Sequence, residues 1–216
     1  MKQKDIFLSS EGNAWLERNQ ATLAQQRLPE DDPILVELLE FPCIANEMTV
    51  LEIGCGDGAR LSWIKDNLGA RCFGIDPSAQ GVASANKRGV HAQQGTADHL
   101  PFKDNEFDLV IFGFCLYLCD REDLFQIARE ANRVLRTPGW LVILDFFSPV
   151  PVSCAFHHRS GVFSYKMDYR TLFDWHPAYE CMTHKVRQMN QKAYTDDPQE
   201  WVAVSVMRKN YLSGEP

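Results

Sequence analysis

No apolar run in these 216 residues approaches the roughly 20 residues that a membrane-spanning helix needs. Nor does an apolar segment of signal-peptide length follow Met1-Lys2-Gln3-Lys4-Asp5, so a cytoplasmic protein is expected. Excess positive charge is missing as well. Lys and Arg number 22 against 29 Asp and Glu, a formal net charge of −7, which removes the electrostatic footprint that a phosphate backbone requires. Nucleic acid is therefore not an expected partner, and no membrane association is expected. The seven cysteines, Cys43, Cys55, Cys72, Cys115, Cys119, Cys154 and Cys181, form no CxxC pair. Histidines and acids form no tight cluster either, so no metal site or disulfide framework is expected, and most thiols read as small buried hydrophobes. Repeats and low-complexity tracts are absent, which excludes solenoids. With 45% hydrophobic residues, the chain can fill the core of one domain over residues 1–216, and a two-domain dehydrogenase does not fit.

What the chain does contain is an apolar, β-branched run from Thr49 to Ile53 that ends in Gly54, Gly56 and Gly58. A strand buried on both faces reads this way, and the glycines let the backbone turn sharply and a ligand approach it. Ala59, Leu61, Ile64 and Leu68 then recur at helical spacing. The loop thus opens a helix whose free N–H groups and positive dipole end face the same opening. Gly54, Gly56 and Ala59 also satisfy the dinucleotide fingerprint GxGxxG/A, which leaves two kinds of nucleotide site open. Cys72 to Asp76 reads as a second strand, with Asp76 at the end where such folds place a carboxylate for ribose hydroxyls. Val90 to Gln94 reads as a third strand, followed by the acidic loop Gly95 to Phe102, beside where an adenine would lie.

Over residues 48–147 the sequence resembles the class I S-adenosylmethionine-dependent methyltransferases. LEIGCGDG (51–58) matches that family's glycine loop, GIDPS (74–78) its ribose acid and GTADHLPF (95–102) its adenine loop. FDLVIFGFCLYL (107–118) matches its fourth strand and RVLRTPGWLVILDF (133–146) its fifth. The resemblance implies a three-layer α/β/α Rossmann-like fold with a seven-stranded, mostly parallel sheet and an antiparallel carboxyl-terminal hairpin. Its implied cofactor is S-adenosyl-L-methionine. Glu52, Gly54, Cys55, Gly56 and Gly58 would then belong to the cofactor pocket, with Asp76 and Pro77 at the ribose, Ala97 and Asp98 at the adenine, and Phe112 and Gly113 closing the fourth strand. Phe114 and Tyr117, just past that strand, and Tyr165 are expected on the acceptor side.

The remaining segments are placed around this centre. Ser9 or Ser10 is available as N-cap for a polar helix over residues 11–26, which carries too little apolar surface for a core helix and reads as a lid, part of an edge segment over residues 1–40. Trp15 is expected to cover the pocket mouth. Arg18 is expected to reach the carboxylate of the cofactor's methionine part, because no other basic residue is obviously placed near the glycine loop. A short helix over residues 34–40 follows the break at Pro29 to Pro33. Asp120 can cap a helix whose Leu124, Ile127, Ala128, Ala131, Val134 and Leu135 share one face, and Gly139 is expected to restart the chain as a strand over residues 140–147. Residues 148–178 are aromatic and histidine-rich without a clean period, and this acceptor-side insertion offers His157 or His158 as a general base. Residues 180–189 and 200–207 read as a hairpin. The expected function is in-line methyl transfer to a small-molecule acceptor. A single-domain NAD(P)-dependent reductase and a non-catalytic cofactor-binding protein are the alternatives.

Overall fold

The computed structural model describes residues 2–25, 28–41, 45–189 and 195–212. Cys43 and much of the loop between the last two strands lie outside the described residues. Among those described, seven strands form one sheet in the order β3-β2-β1-β4-β5-β9-β8. Its parallel part is β1 (Thr49–Ile53), β2 (Arg71–Asp76), β3 (His91–Gln94) at one edge, β4 (Phe107–Gly113) and β5 (Leu135–Phe146), all parallel to their neighbours in this group. On its far side β9 (Trp201–Lys209) runs antiparallel to β5 and to β8 (Tyr179–Gln188), as expected of the carboxyl-terminal hairpin.

Alternation along these strands sorts their side chains into two apolar layers. Val50, Leu109, Ile111, Val142 and Leu144 pack with α3 (Pro33–Glu40), α4 (Ala59–Leu68) and α5 (Ala79–Lys87). Leu51, Ile53, Val110, Phe112, Leu141 and Ile143 pack on the other face with α6 (Leu124–Val134) and a 3-10 turn, Tyr169–Phe173. Leu109 to Phe112 have no exposed surface at all. At roughly 1.5–3 kcal/mol for each such side chain, this burial fixes β4 at the sheet centre. Ile53 lies level with both Ile75 and Phe112, so the loops after β1, β2 and β4 open on one edge.

Four expectations are corrected here. The amino-terminal helix starts at Gln3 rather than after Ser9 or Ser10: α1 (Gln3–Ile6) passes through a π-helical turn, Phe7–Glu11, into α2 (Gly12–Gln25). Asp120 caps this helix and not α6. Its carboxylate oxygens accept the N–H groups of Gln3 (3.0 Å) and Lys4 (3.1 Å), satisfying two donors that a helix start leaves unpaired. β5 begins at Leu135, before Gly139, with the register beside β4 jumping between Phe107 and Leu109. Residues 148–178 contain an antiparallel hairpin, β6 (Val152–Ala155) with β7 (Phe163–Lys166), and the 3-10 turn capped by Asp168.

Asp145, 2% exposed, accepts the N–H groups of Leu116 (2.8 Å), Tyr117 (3.2 Å) and Phe146 (2.8 Å), pinning the chain after β4 to the end of β5. Burial pushes its carboxyl up to about 7, against the pull of those three donors. Because the folded value lies above the unfolded one, its stabilising share is complete at low pH and is lost as pH rises through about 7. Urea unfolding of the wild type and Asp145→Asn should therefore show the wild type losing ground, on the order of 3 kcal/mol, between about pH 4 and pH 8. A stability difference that is flat across that range contradicts the assignment.

Candidate functional site

The glycine loop is shaped by the strand it leaves and the strand beside it. The N–H groups of Gly54 (2.8 Å) and Cys55 (3.2 Å) both donate to the Ile75 carbonyl, which holds the loop over the end of β2. Gly56 takes a left-handed φ of 54°, and its N–H donates to the Asp76 carboxylate at 2.8 Å, whose other oxygen accepts the Ser78 N–H at 2.8 Å. A Cβ at Gly56 would meet no atom within 4 Å, so it would project into open space. That space is a cavity of about 130 Å³ that opens to solvent.

Gly95, Thr96, Ala97 and Asp98 line the cavity with Lys4, Asp120, Asp123 and Ile127, as do Gly54, Gly56, Asp76 and Pro77, and Gly113, Phe114 and Cys115 with Trp15. Lys4 is ion-paired with Asp98 and, at 2.8 Å, with Asp123. Partial burial works to raise the Asp98 carboxyl, but the Lys4 ammonium and the Thr96 hydroxyl outweigh it and hold the group below the usual carboxylate range. Burial raises the thiols of Cys115 and Cys119, the latter to about 12, so both stay protonated at neutral pH and are poor nucleophiles beside an alkylating ligand.

Of the residues expected from sequence, Trp15, Gly54, Gly56, Asp76, Pro77, Ala97, Asp98, Gly113 and Phe114 line this cavity. Glu52 lies beneath it, 1% exposed and ion-paired with Arg60, which also binds Asp32 at 2.8 Å. Burial pushes Glu52 up to about 7 despite the Arg60 charge, and its Oε2 has no hydrogen-bond partner. Gly113 keeps this pair in place, since a Cβ there would come within 2.6 Å of both Glu52 and Arg60. Cys55 packs behind the loop, its Sγ 2.5 Å from where a Gly74 Cβ would stand. Gly58 serves helix packing, because a Cβ would lie 2.6 Å from the Ala85 Cβ. Phe112 is buried in the core on the Phe173 side of the sheet.

The Arg18 expectation is corrected: its guanidinium pairs with Glu11, a carboxylate only 3% exposed that needs a counter-ion, and lies 5.9 Å over the Phe156 ring. The cations near the glycine loop are instead Arg60, on the first turn of the helix that the loop opens, and Arg88, which pairs with Asp57 at 2.8 Å. Tyr117 is buried rather than lining the cavity, and its hydroxyl accepts the Trp15 indole N–H at 3.0 Å. Tyr165 stacks under the Arg121 guanidinium, 4.1 Å from its ring centre, and stays outside the cavity. His157 and His158 stand on the exposed turn between β6 and β7 and do not line the cavity, so their placement carries no base role there. Lys4, Phe7, Gly12, Asp120 and Asp123 were not anticipated. Among the described residues, no group of three or more His, Cys, Asp or Glu side chains is arranged to hold a metal ion.

Comparison with known proteins agrees with this geometry. Residues 51–143 match the family described as "Methyltransferase domain". The uncharacterized methyltransferase YcgJ of Bacillus subtilis is 30% identical over 145 residues, 63% of this chain and 53% of that protein. The demethylmenaquinone methyltransferase of Lactiplantibacillus plantarum is 34% identical over 116 residues, 49% of this chain and 48% of that protein. The chain thus spans about half the length of these curated relatives. The crystal structure of Burkholderia thailandensis 1,6-didemethyltoxoflavin-N1-methyltransferase, holding 1,6-didemethyltoxoflavin and S-adenosylhomocysteine, superposes with a TM-score of 0.71. That match has 16% identity and covers 96% of this chain and 89% of that one, and shows the shared fold. Residues 51–143 thus match a methyltransferase family, and the comparisons support a class I S-adenosylmethionine-dependent methyltransferase with S-adenosyl-L-methionine as its cofactor. The pocket fits that group: Gly56 leaves a cradle that a Cβ would fill, beside the buried Asp76 carboxylate in the cavity wall.

Asp76→Ala should weaken S-adenosylhomocysteine binding at least tenfold, given about 1.5–3 kcal/mol for a hydrogen bond to a charged group. Gly56→Val should do the same by filling the cradle. Titration calorimetry on folded variants checks both, and unchanged affinity in either removes that residue from the pocket.

Proposed function

We propose that this chain transfers the methyl group of S-adenosylmethionine to a small, flat, ring-bearing acceptor bound against Phe114. The observation that carries this reading is the aromatic wall at the carboxyl ends of β4 and β5. Phe114 and Tyr117 both meet Phe146, at ring-centre distances of 5.5 Å and 4.9 Å, and Trp15, which lines the cavity with Phe114, donates its indole N–H to Tyr117. Phe114 holds a φ of 52°, a strained conformation for a bulky residue of the kind that clusters at functional sites. Two relatives support a ring-shaped acceptor by what their names state, demethylmenaquinone in one and 1,6-didemethyltoxoflavin in the other.

The cofactor supplies an already electrophilic sulfonium methyl. The chain has then to hold the acceptor in line and keep water out, and positioning alone can supply on the order of 7 kcal/mol of the barrier. Asp145 contributes by fixing the backbone of Leu116 and Tyr117, and so the wall itself. Burial raises the Tyr117 phenol above its ordinary range, so it stays protonated and orients rather than accepts a proton. With a net charge of −7, the surface does not favour nucleic acid as the acceptor. No helix among the described residues is long and apolar enough to cross a membrane.

Isotope-labelled S-adenosylmethionine, offered with a panel of quinols, phenols and nitrogen heterocycles beside aliphatic acids and proteins, tests the reading. Turnover is expected on a ring hydroxyl or ring nitrogen, whereas turnover confined to aliphatic or protein acceptors overturns it. Phe114→Ala should raise the acceptor KM roughly threefold to tenfold, in line with about 0.5–1.5 kcal/mol for an aromatic pair, and leave S-adenosylhomocysteine affinity unchanged.

A further inference from the structure

Gln3 to Gln25, whose Lys4, Phe7, Gly12 and Trp15 line the cavity, forms a strap along it with three fastenings of different chemistry. The middle one is close packing. A Cβ on Gly12 would stand 2.9 Å from the Ser78 nitrogen and 3.0 Å from the Pro77 carbonyl carbon, and Asn13 accepts from the Ser78 hydroxyl (2.8 Å) and the Gln80 N–H (3.1 Å). The distal one is the Trp15 bond to Tyr117 at 3.0 Å, backed by an apolar cluster of Phe7, Phe156 and Val162. The proximal one is ionic. Lys4 binds Asp98 and Asp123, while Lys2 adds bonds to Asp123 at 2.6 Å and Glu122 at 3.5 Å. Gln3, 6% exposed, joins strap to hairpin, since its amide donates to the Leu118 and Phe163 carbonyls and accepts the Phe163 N–H at 2.6 Å.

We infer that the Lys4 contact with Asp98 and Asp123 is a latch that gates exchange of cofactor and product, with Lys4 itself a wall of the site. Lys4, Asp98 and Asp123 all line the cavity, so the groups that close the strap are also groups that a bound ligand meets. Their side chains are 27%, 16% and 13% exposed, enough for water and salt to reach them, unlike the packed Gly12 crossing. The π-helical turn Phe7–Glu11 lies between latch and crossing, at a position where helices commonly carry functional irregularities, and lets the latch end lift while Gly12 stays seated. The inference rests on the cofactor assignment for its ligand, though the latch can be read without any ligand.

The test uses the full chain, with S-adenosylhomocysteine release followed by stopped-flow tryptophan fluorescence. Wild-type release is expected to quicken severalfold between about 20 and 500 mM salt as the ion pairs are screened. Lys4→Met should release roughly tenfold faster at low salt and lose most of that salt dependence, and Lys4→Arg should restore both. Amide hydrogen exchange on ligand-free protein supplies the second readout: residues 3–11 should exchange faster in Lys4→Met than in the wild type, with residues 12–25 unchanged. If Lys4→Met does not fold, Asp123→Asn removes a partner from the other side. Wild-type release rates and salt dependence in the variant, with unchanged exchange, overturn the latch. Absent binding of S-adenosylhomocysteine to the wild type would instead count against the cofactor assignment, and exchange would still decide the latch.

Discussion

The hydrogen bond from the Gly56 N–H to the Asp76 carboxylate is the joint on which the site depends. It forms because β1 and β2 run parallel and end level, so the first turn after one strand meets the last side chain of the next. That carboxylate is held by two backbone donors at 2.8 Å in a buried position, which fixes its direction before any ligand arrives. A preorganised acceptor of this kind gives up little on binding, and the same bond holds the glycine loop in the left-handed turn that opens the cavity.

Beneath this joint lies a line of buried charge. Glu52 pairs with Arg60 and Arg60 with Asp32, whose other oxygen caps α3 through the N–H groups of Ile34 (2.9 Å) and Leu35 (3.1 Å). Three consecutive elements are thereby locked to the floor of the loop. Such a triad costs desolvation, so it is weak as a source of stability and better suited to fixing one arrangement of α3, α4 and β1. On the far face Asp145 does the corresponding work for the chain after β4. The site is thus a floor set by buried carboxylates, with the amino-terminal helix laid over it.

The floor was legible in the sequence and the cover was not. Parallel strands buried on both faces read as apolar runs, so Thr49–Ile53 and Phe107–Gly113 declared themselves, and the residues at their ends followed from position. Nothing local marks Lys4 or Gly12 as part of a binding site. Their partners Asp98, Asp123 and Ser78 lie far along the chain, and a lysine in a polar stretch reads as solvated. Arg60 had a usable signal, since the second residue of the helix opened by the glycine loop must lie near it. Arg18 was misread because the π-helical turn, which pairs it with Glu11, has no sequence period of its own. β6 and β7, four residues each and largely facing solvent, give no alternation strong enough to separate a hairpin from an irregular loop.

The central claim is that this pocket takes S-adenosylmethionine rather than a nicotinamide dinucleotide, although the spacing of Gly54, Gly56 and Ala59 admits both. Thermal unfolding with each ligand in turn tests it most directly. At about one hundred times its dissociation constant, S-adenosylhomocysteine should stabilise the fold by roughly 2.7 kcal/mol and raise the Tm by several degrees, with NADH and NADPH leaving it unchanged. A rise with NADH or NADPH, and none with S-adenosylmethionine or S-adenosylhomocysteine, would contradict it.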